Sequence, residues 1–147
     1  MVADAVRLRP PLPADAPALA ALAGELGYPT DAEELLGRLA ALHPTDAAVI
    51  VATDANDTPT GWCHVEMHRT LVEPQSALIV GLVIGDGHRG MGIGAELLAA
   101  AEGWARARGC RRLVVATRIT RERAHRFYAR EGYFVNKTSY FLTKPLD

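Results

Sequence analysis

The chain has 147 residues, of which 49% are hydrophobic and 22% charged, a composition typical of one globular domain that excludes a disordered chain. No apolar run reaches membrane-spanning length, the amino terminus lacks a secretory pattern, and no Cys/His cluster has zinc-ligand spacing. The two cysteines, Cys63 and Cys110, are expected to be reduced thiols. We therefore predict a cytoplasmic protein with no metal and no membrane partner.

Charge is spread unevenly along the chain. Residues 1–100 carry 13 acidic and 5 basic side chains, a net charge of −8, whereas residues 101–147 carry 4 and 11, a net charge of +7. Most of these charges are expected on solvated helix faces. They also favour a carboxyl-terminal part that faces an anionic ligand and a remainder that faces a cationic one. The overall net charge of −1 argues against a nucleic-acid partner.

The first part of the chain predicts a strand and two helices. Residues 6–9 alternate apolar and polar side chains, as in a short strand, and prolines follow. Residues 14–26 have apolar side chains at helical spacing, with a glycine as the stop. Thr30 followed by Glu33 is a capping-box pattern for a second helix that runs to about Leu42.

A hairpin is predicted next, from residues 47–53 and 61–69, which flank polar turn residues. The second of these strands alternates strictly, so its side chains should divide between two faces of a sheet. One face would carry Cys63, Val65 and Met67, and the other would carry Trp62, His64, Glu66 and His68.

The most informative stretch is a buried strand over residues 78–84, a glycine-rich loop and a helix that opens near Ile93. The loop has glycines at positions 85, 87, 90, 92 and 94. Such a turn between strand and helix directs backbone N–H groups and the positive end of the helix dipole at one place, where phosphate binds. Gly109 is the predicted left-handed cap at the end of the helix.

The remaining residues predict a strand over 112–117, a helix over 122–131 that stops at Gly132, and strands over 133–135 and 139–143. A strand, a helix and a strand in succession imply two parallel strands joined by a right-handed crossover. Together the elements predict one α/β (α+β) domain over residues 1–147 with a mixed central sheet.

Two common phosphate loops do not fit the glycine-rich stretch. It lacks the Gly-Lys-Ser/Thr of a nucleotide triphosphatase, and the spacing of its last three glycines differs from the dinucleotide fingerprint. What remains is Arg89-Gly90-Met91-Gly92-Ile93-Gly94, an Arg-x-x-Gly-x-Gly sequence. This resembles the acetyl-CoA loop of the GNAT N-acetyltransferases.

A second stretch, residues 123–133, carries the same resemblance. Its simplest interpretation is an amphipathic helix that buries Ala124, Phe127 and Tyr128, but those residues together with Gly132 and Tyr133 also fall in register with the GNAT family. The resemblance covers essentially the whole chain and extends to a bacterial subgroup similar to aminoglycoside 6'-N-acetyltransferases. It implies a single-domain GNAT fold of about four helices and about 6–7 strands, with the fourth and fifth strands splayed apart, and often a homodimer.

The resemblance also implies acetyl-CoA as the acetyl donor. Its pantetheine arm would pair with the backbone of a strand, as an added peptide does, and a bulge at Gly81 would help to open the slot. Its pyrophosphate would lie on amides at the start of the glycine-loop helix. The implied cofactor-binding residues are Leu82, Val83, Ile84, Arg89, Gly90, Met91, Gly92, Ile93, Gly94, Ala95 and Arg121.

For catalysis, the family places a tyrosine beside the CoA sulfur, and Tyr128 is our predicted general acid because a phenol with a pKa of about 10 is protonated at neutral pH. Two positions depart from the family. Arg121 replaces an asparagine that helps to hold the pantetheine arm, and Leu78 replaces a glutamate that deprotonates the amine. Candidates for that proton acceptor are Glu66 and Glu73, with His64 and His68 as alternatives.

The predicted activity is transfer of an acetyl group from acetyl-CoA to a primary amine by direct attack, with a small cationic molecule as the acceptor. A weaker hypothesis makes Cys110 an acyl-carrying nucleophile. Two other hypotheses stay open at this point: an N-acetyltransferase of proteins or peptides, and a CoA-binding regulatory module without turnover.

Overall fold

The computed structural model describes residues 6–147. The predicted domain over residues 1–147 therefore includes five residues that lie outside the described part. The chain divides into two compact units, Met1–Ala116 and Thr117–Asp147. The first unit contains the sheet and three α-helices, and the second contains one helix.

The secondary structure follows the predicted order of elements. It comprises β1 (Arg7–Arg9), a 3-10 turn (Pro13–Asp15), α1 (Ala16–Leu26), α2 (Ala32–Ala41), β2 (Ala47–Thr53), β3 (Pro59–His68), β4 (Ser76–Ile84), α3 (Ile93–Ala107), β5 (Leu113–Val115) and α4 (Glu122–Arg130). The strands form one sheet in the order β1-β2-β3-β4-β5, in which only the β4–β5 pair is parallel. The mixed sheet and the four helices confirm the predicted fold class. None of the helices in residues 6–147 is both long and apolar enough to cross a bilayer.

The number of strands is a correction. Residues 133–135 and 139–143 were expected to complete a sheet of about 6–7 strands, but the described sheet has five, and residues 133–147 form no strand. Their aromatic and branched side chains, such as Phe134 and Tyr140, are exposed. A strand exists only as part of a hydrogen-bonded ladder, so β propensity without a backbone partner does not produce one.

The start of α2 is a second correction. Its N-cap is Asp31 and not Thr30, because the Asp31 carboxylate accepts a 2.8 Å hydrogen bond from the backbone N–H of Glu34. That bond lowers the pKa of Asp31. Thr30 instead donates its hydroxyl to the carbonyl oxygen of Tyr28. Aspartate caps at least as well as threonine, so the capping box forms one residue later than predicted.

The two faces of the sheet pack against different helices. Cys63 and Val65 of β3 are fully buried, as the alternation predicts, and the end of α3 reaches the same face, where Cys110 Sγ lies 3.8 Å from Met67 Sδ. Burial raises the pKa of the Cys63 thiol to about 12. Cys110 is also buried, which disfavours its role as a nucleophile. On the opposite face, Trp62 Nε1 donates to the carbonyl oxygen of Leu19, so α1 covers that side.

An ion-pair cluster anchors the chain just before α1. The Arg9 guanidinium donates to both carboxylate oxygens of Asp15, at 2.7 and 3.0 Å, and its Nε donates to Asp57 at 2.8 Å. The hydrogen bonds from Arg9 lower the pKa of the Asp15 carboxyl and outweigh the effect of its burial, which raises that pKa. The cluster ties β1 to the turn that begins α1, and so helps to position α1 over the sheet.

Candidate functional site

The glycine-rich loop between β4 and α3 is open to a ligand. Gly87, Gly90 and Gly92 have φ values of 89°, 80° and 83°, a left-handed conformation that favours glycine. A Cβ placed on any of the three would meet no atom of the described residues within 4 Å. The loop therefore presents bare backbone to its surroundings.

The start of α3 provides hydrogen-bond donors beside this open space. Gly92 is the N-cap, and within the described chain no side chain caps the helix there. The amides of Ile93, Gly94 and Ala95 precede the first intrahelical bond, which runs from the N–H of Glu96 to the carbonyl oxygen of Gly92. These amides and the helix dipole suit a phosphate or pyrophosphate group.

Side chains brace the loop at its base. Arg89 Nε donates to the carbonyl oxygen of Ile84 at 3.3 Å. The backbone N–H of Asp86 donates to Glu25 at the end of α1, at 2.8 Å. Met91, at the tip of the loop, is exposed. The loop is thus tied to both β4 and α1, which fixes the position of the amides that follow it.

The carboxyl-terminal half of β4 has a free edge in the sheet. β5 pairs with β4 only from Ala77 to Ile79, and β4 continues to Ile84 with no further strand of the described sheet along that edge. β5 is only three residues long and pairs with β4 throughout, so the edge of β4 is open where the splay of the fourth and fifth strands is predicted. The backbone of Leu82, Val83 and Ile84 lies in the unpaired half, where it can bond an amide-bearing chain laid alongside it.

A β-bulge lies where the free edge begins. His64 of β3 pairs with Gly81, but Val65 pairs with Ile79, so Val80 is the extra residue on β4. A Cβ on Gly81 would lie only 2.8 Å from the ring of Trp62, so a glycine is needed there. The bulge predicted at Gly81 is confirmed, and the close approach of Trp62 explains the residue type.

Polar side chains follow this bulge on the face that α1 covers. His64 and Glu66 share that face of β3 with Trp62, because alternate residues of a strand point the same way. Glu66 pairs directly with Leu78 of β4, the position where a carboxylate is missing. The structure therefore supplies a carboxylate on the strand next to that position.

His64 and Glu66 form a close pair. His64 Nε2 lies 3.9 Å from a carboxylate oxygen of Glu66, and their side chains are 21% and 41% exposed. The Nε2 atom is itself buried and has no hydrogen-bond partner among the described residues. Burial lowers the pKa of His64, and the charge of Glu66 partly opposes that shift. In the sequence, the two residues are separate candidates for the proton acceptor. Their spacing of two residues on one strand could have predicted that their side chains lie close together.

Glu73 has a different environment. It lies in the loop between β3 and β4, and its carboxylate is 3.3 Å from a guanidinium nitrogen of Arg112. The loop is held by Thr70, whose hydroxyl accepts from the N–H of Glu73. His68, at the end of β3, is exposed. Glu66 therefore lies beside His64, whereas the negative charge of Glu73 is offset by the guanidinium of Arg112.

The second unit holds Tyr128 on α4. The tyrosine ring contacts Phe127 and Tyr133 edge-to-face, with centroids 5.0 and 5.7 Å apart, which limits its rotation. Arg121 is the N-cap of the helix, and its carbonyl oxygen accepts from the N–H of His125. Gly132, with a φ of 93°, follows the helix as predicted.

Comparison with known proteins agrees with these features. Residues 17–133 match the acetyltransferase (GNAT) family. The chain is 31% identical to an aminoglycoside N(6')-acetyltransferase type 1 of Stenotrophomonas maltophilia, over 100% of this chain and 98% of that protein. It is 51% identical to an aminoalkylphosphonate N-acetyltransferase of Salmonella typhimurium over 59 residues, which cover 40% of this chain and 36% of that protein.

Solved structures show the same fold. The crystal structure of the aminoglycoside antibiotic 6'-N-acetyltransferase AAC(6')-Ih from Acinetobacter baumannii has a TM-score of 0.84 at 14% identity, covering 97% of this chain and 100% of that chain. AAC(6')-Iy, solved in complex with the bisubstrate analog CoA-S-monomethyl-acetylneamine, has a TM-score of 0.83 at 16% identity, covering 97% and 99%. The chain belongs to the GNAT family of acetyltransferases, and it is an N-acetyltransferase that uses acetyl-CoA.

Proposed function

We propose that the acetyl acceptor is a small, positively charged primary amine, such as an aminoglycoside or a polyamine. The observation that carries this proposal is the position of Glu66, whose carboxylate lies on the α1 face beside the β4 bulge. A carboxylate there attracts and binds an ammonium group. The full-length similarity to an aminoglycoside acetyltransferase supports the same class of acceptor.

Acetyl-CoA fits two features of the first unit. The open glycine loop and the free amides of α3 suit its pyrophosphate, and the unpaired edge of β4 suits the amides of its pantetheine arm. Arg121 lies at the position where the family has an asparagine that helps to hold the pantetheine arm. The proposed contacts are Leu82, Val83, Ile84, Arg89, Gly90, Met91, Gly92, Ile93, Gly94, Ala95 and Arg121.

Acetyl-CoA supplies the acetyl group as a thioester. The acceptor nitrogen, once deprotonated, attacks the carbonyl carbon; a C–N bond forms and the C–S bond breaks. A backbone N–H of Leu82 or Val83 stabilises the oxyanion that develops. Tyr128 donates its phenol proton to the thiolate sulfur and regains a proton from the nitrogen of the new amide.

The test is thiol release from acetyl-CoA with a panel of cationic, neutral and acidic amines. Cationic amines should be the best acceptors. Glu66→Gln should raise the Michaelis constant for the amine, and this effect should shrink as salt rises from about 0.05 to 0.5 M because screening weakens charge attraction. Glu73→Gln should have a smaller effect, since Arg112 already offsets its charge.

Several outcomes would overturn the proposal. Preference for neutral or acidic amines, or wild-type behaviour of both glutamine variants, would show that carboxylate charge does not select the amine. Selective acetylation of peptide amines would favour the protein-directed alternative. Saturable binding of CoA without thiol release from any amine would favour a regulatory module.

A further inference from the structure

We propose that His64 and Glu66 together form the ammonium-binding site, in which Glu66 holds the charge and His64 Nε2 removes the proton. This inference rests on the proposed cationic acceptor. It assigns the proton acceptor that the side chain of Leu78 on β4 cannot supply. Four observations carry it: the distance between the two side chains, the burial of Nε2, the surrounding charges, and the position of the pair beside the β4 bulge.

The distance suits one nitrogen shared between two acceptors. At 3.9 Å, His64 Nε2 and the Glu66 oxygen are too far apart to hydrogen-bond each other. Once the imidazole turns its buried Nε2 toward the ligand, an ammonium nitrogen can lie about 2.9 Å from both atoms, with an angle of about 85° between the two contacts. A primary ammonium has three N–H donors, so two can bond the pair while the third stays available.

The state of His64 suits a base. Its Nε2 is a buried polar atom without a partner in the described residues, a costly arrangement unless a ligand satisfies it. Burial lowers the pKa of the imidazole, so His64 is neutral at pH 7. With Nδ1 protonated, Nε2 offers a lone pair to an approaching N–H.

The charges around His64 favour proton transfer to it. Its strand neighbours, Val49 on β2 and Gly81 on β4, are uncharged. The one charged residue of α1, Glu25, is bound to the backbone of Asp86. The charge of Glu66 acts on His64, and its carboxylate stabilises the imidazolium that forms.

The protons balance through this pair. The ammonium gives one proton to His64 Nε2, which leaves a free amine whose lone pair attacks the thioester carbon. The nitrogen loses a second proton when the C–S bond breaks, and that proton replaces the one that Tyr128 gives to sulfur. His64 then releases its proton to solvent, so that one turnover yields the amide, the thiol of CoA and one H⁺.

The experiment compares His64→Gln with a matched control, His43→Gln, an exposed histidine in the loop after α2. At pH 7, His64→Gln should lower kcat for a cationic amine by about 10²- to 10⁴-fold, the usual contribution of a general base. The Michaelis constant for acetyl-CoA should stay unchanged, and His43→Gln should behave as wild type. The defect should shrink toward about pH 10, where an alkyl amine loses its proton in solution.

The pH profile separates catalysis from packing. In the wild type, kcat/KM should fall in an acid limb as His64 becomes protonated, at a pH lower than that of an ordinary histidine because burial lowers its pKa. Glu66→Gln should move that limb to lower pH, since the charge that raises the pKa of His64 is gone. The substrate titrates identically in both proteins, so a shift between them reports an enzyme group.

The outcomes are distinguishable. If the wild type acetylates no cationic amine, the proposed function fails. If it does so but folded His64→Gln, checked by thermal melting, keeps wild-type kcat at pH 7, this inference fails alone. Should the glutamine variant unfold, His64→Asn and the wild-type profile decide the matter. An acid limb that is absent, or that does not move in Glu66→Gln, would also overturn the inference.

Discussion

A charge placed on the open glycine loop should weaken binding of acetyl-CoA more than it weakens the fold. Gly92 is the best position, because it caps α3 and a Cβ there meets no described atom within 4 Å. Its φ of 83° disfavours most side chains, but asparagine and aspartate tolerate this conformation. Gly92→Asn and Gly92→Asp therefore differ in charge while sharing size and backbone cost.

The magnitude follows from Coulomb's law. A pyrophosphate on the first-turn amides would place about two negative charges roughly 5 Å from the carboxylate that Gly92→Asp introduces. With an effective dielectric constant between about 40 and 80, their repulsion is about 1.5 to 3 kcal/mol. That corresponds to roughly a tenfold to 100-fold weaker affinity for Gly92→Asp than for Gly92→Asn.

Isothermal titration calorimetry with acetyl-CoA measures both affinities, and thermal melting confirms that both variants are folded. The difference between the variants should diminish at high salt, because exposed charges are screened within about 10 Å at 0.1 M ionic strength. Equal affinities for the aspartate and asparagine variants, in folded proteins, would show that the pyrophosphate does not bind at this loop.

Two further substitutions test other parts of the site. Tyr128→Phe keeps the edge-to-face ring contacts but removes the proton donor, so kcat should fall by about 10²- to 10⁴-fold with little change in the Michaelis constant for acetyl-CoA. The control is Tyr140→Phe, at an exposed tyrosine. Wild-type turnover in Tyr128→Phe would show that Tyr128 contributes packing and not a proton. Gly81→Ala should destabilise the fold by about 1–3 kcal/mol, because its Cβ would displace the Trp62 ring. Gly103→Ala in α3, where the space is free, should instead stabilise it by about 0.5–1 kcal/mol in chemical denaturation, and equal effects would contradict the steric argument.

Local signals in the sequence predicted most of the first unit. β2 has the predicted bounds because its branched residues lie between polar turns, and α3 begins at Ile93, where helical spacing of apolar residues starts. The bulge was predictable because an isolated glycine inside an apolar strand signals either a bulge or a close contact. Gly81 has both, since it follows the extra residue of β4 and lies under Trp62.

Non-local pairing could not be predicted in the same way. Arg9 binds Asp57, which lies 48 residues away, and nothing near either residue indicates that contact. The prediction of two carboxyl-terminal strands was wrong for a related reason. The composition of residues 133–147 favours β structure, but it does not provide a neighbouring strand to pair with. The cap of α2 moved by one residue because Thr30 and Asp31 are both good caps, and only geometry decides between them.

The missing carboxylate at Leu78 shows why a functional position is better defined in space than along the chain. Residues that pair across two strands have Cβ atoms about 4.5–5.5 Å apart on one face, a separation that a glutamate side chain can bridge. Glu66 is the partner of Leu78, so its carboxylate can reach the region that an acid at position 78 would occupy. The bulge adds a second group, because it brings His64 opposite Gly81 in the register of the two strands. The proposed proton acceptor on β3 therefore requires no change in the backbone, only polar residues at two alternate positions of the strand next to β4.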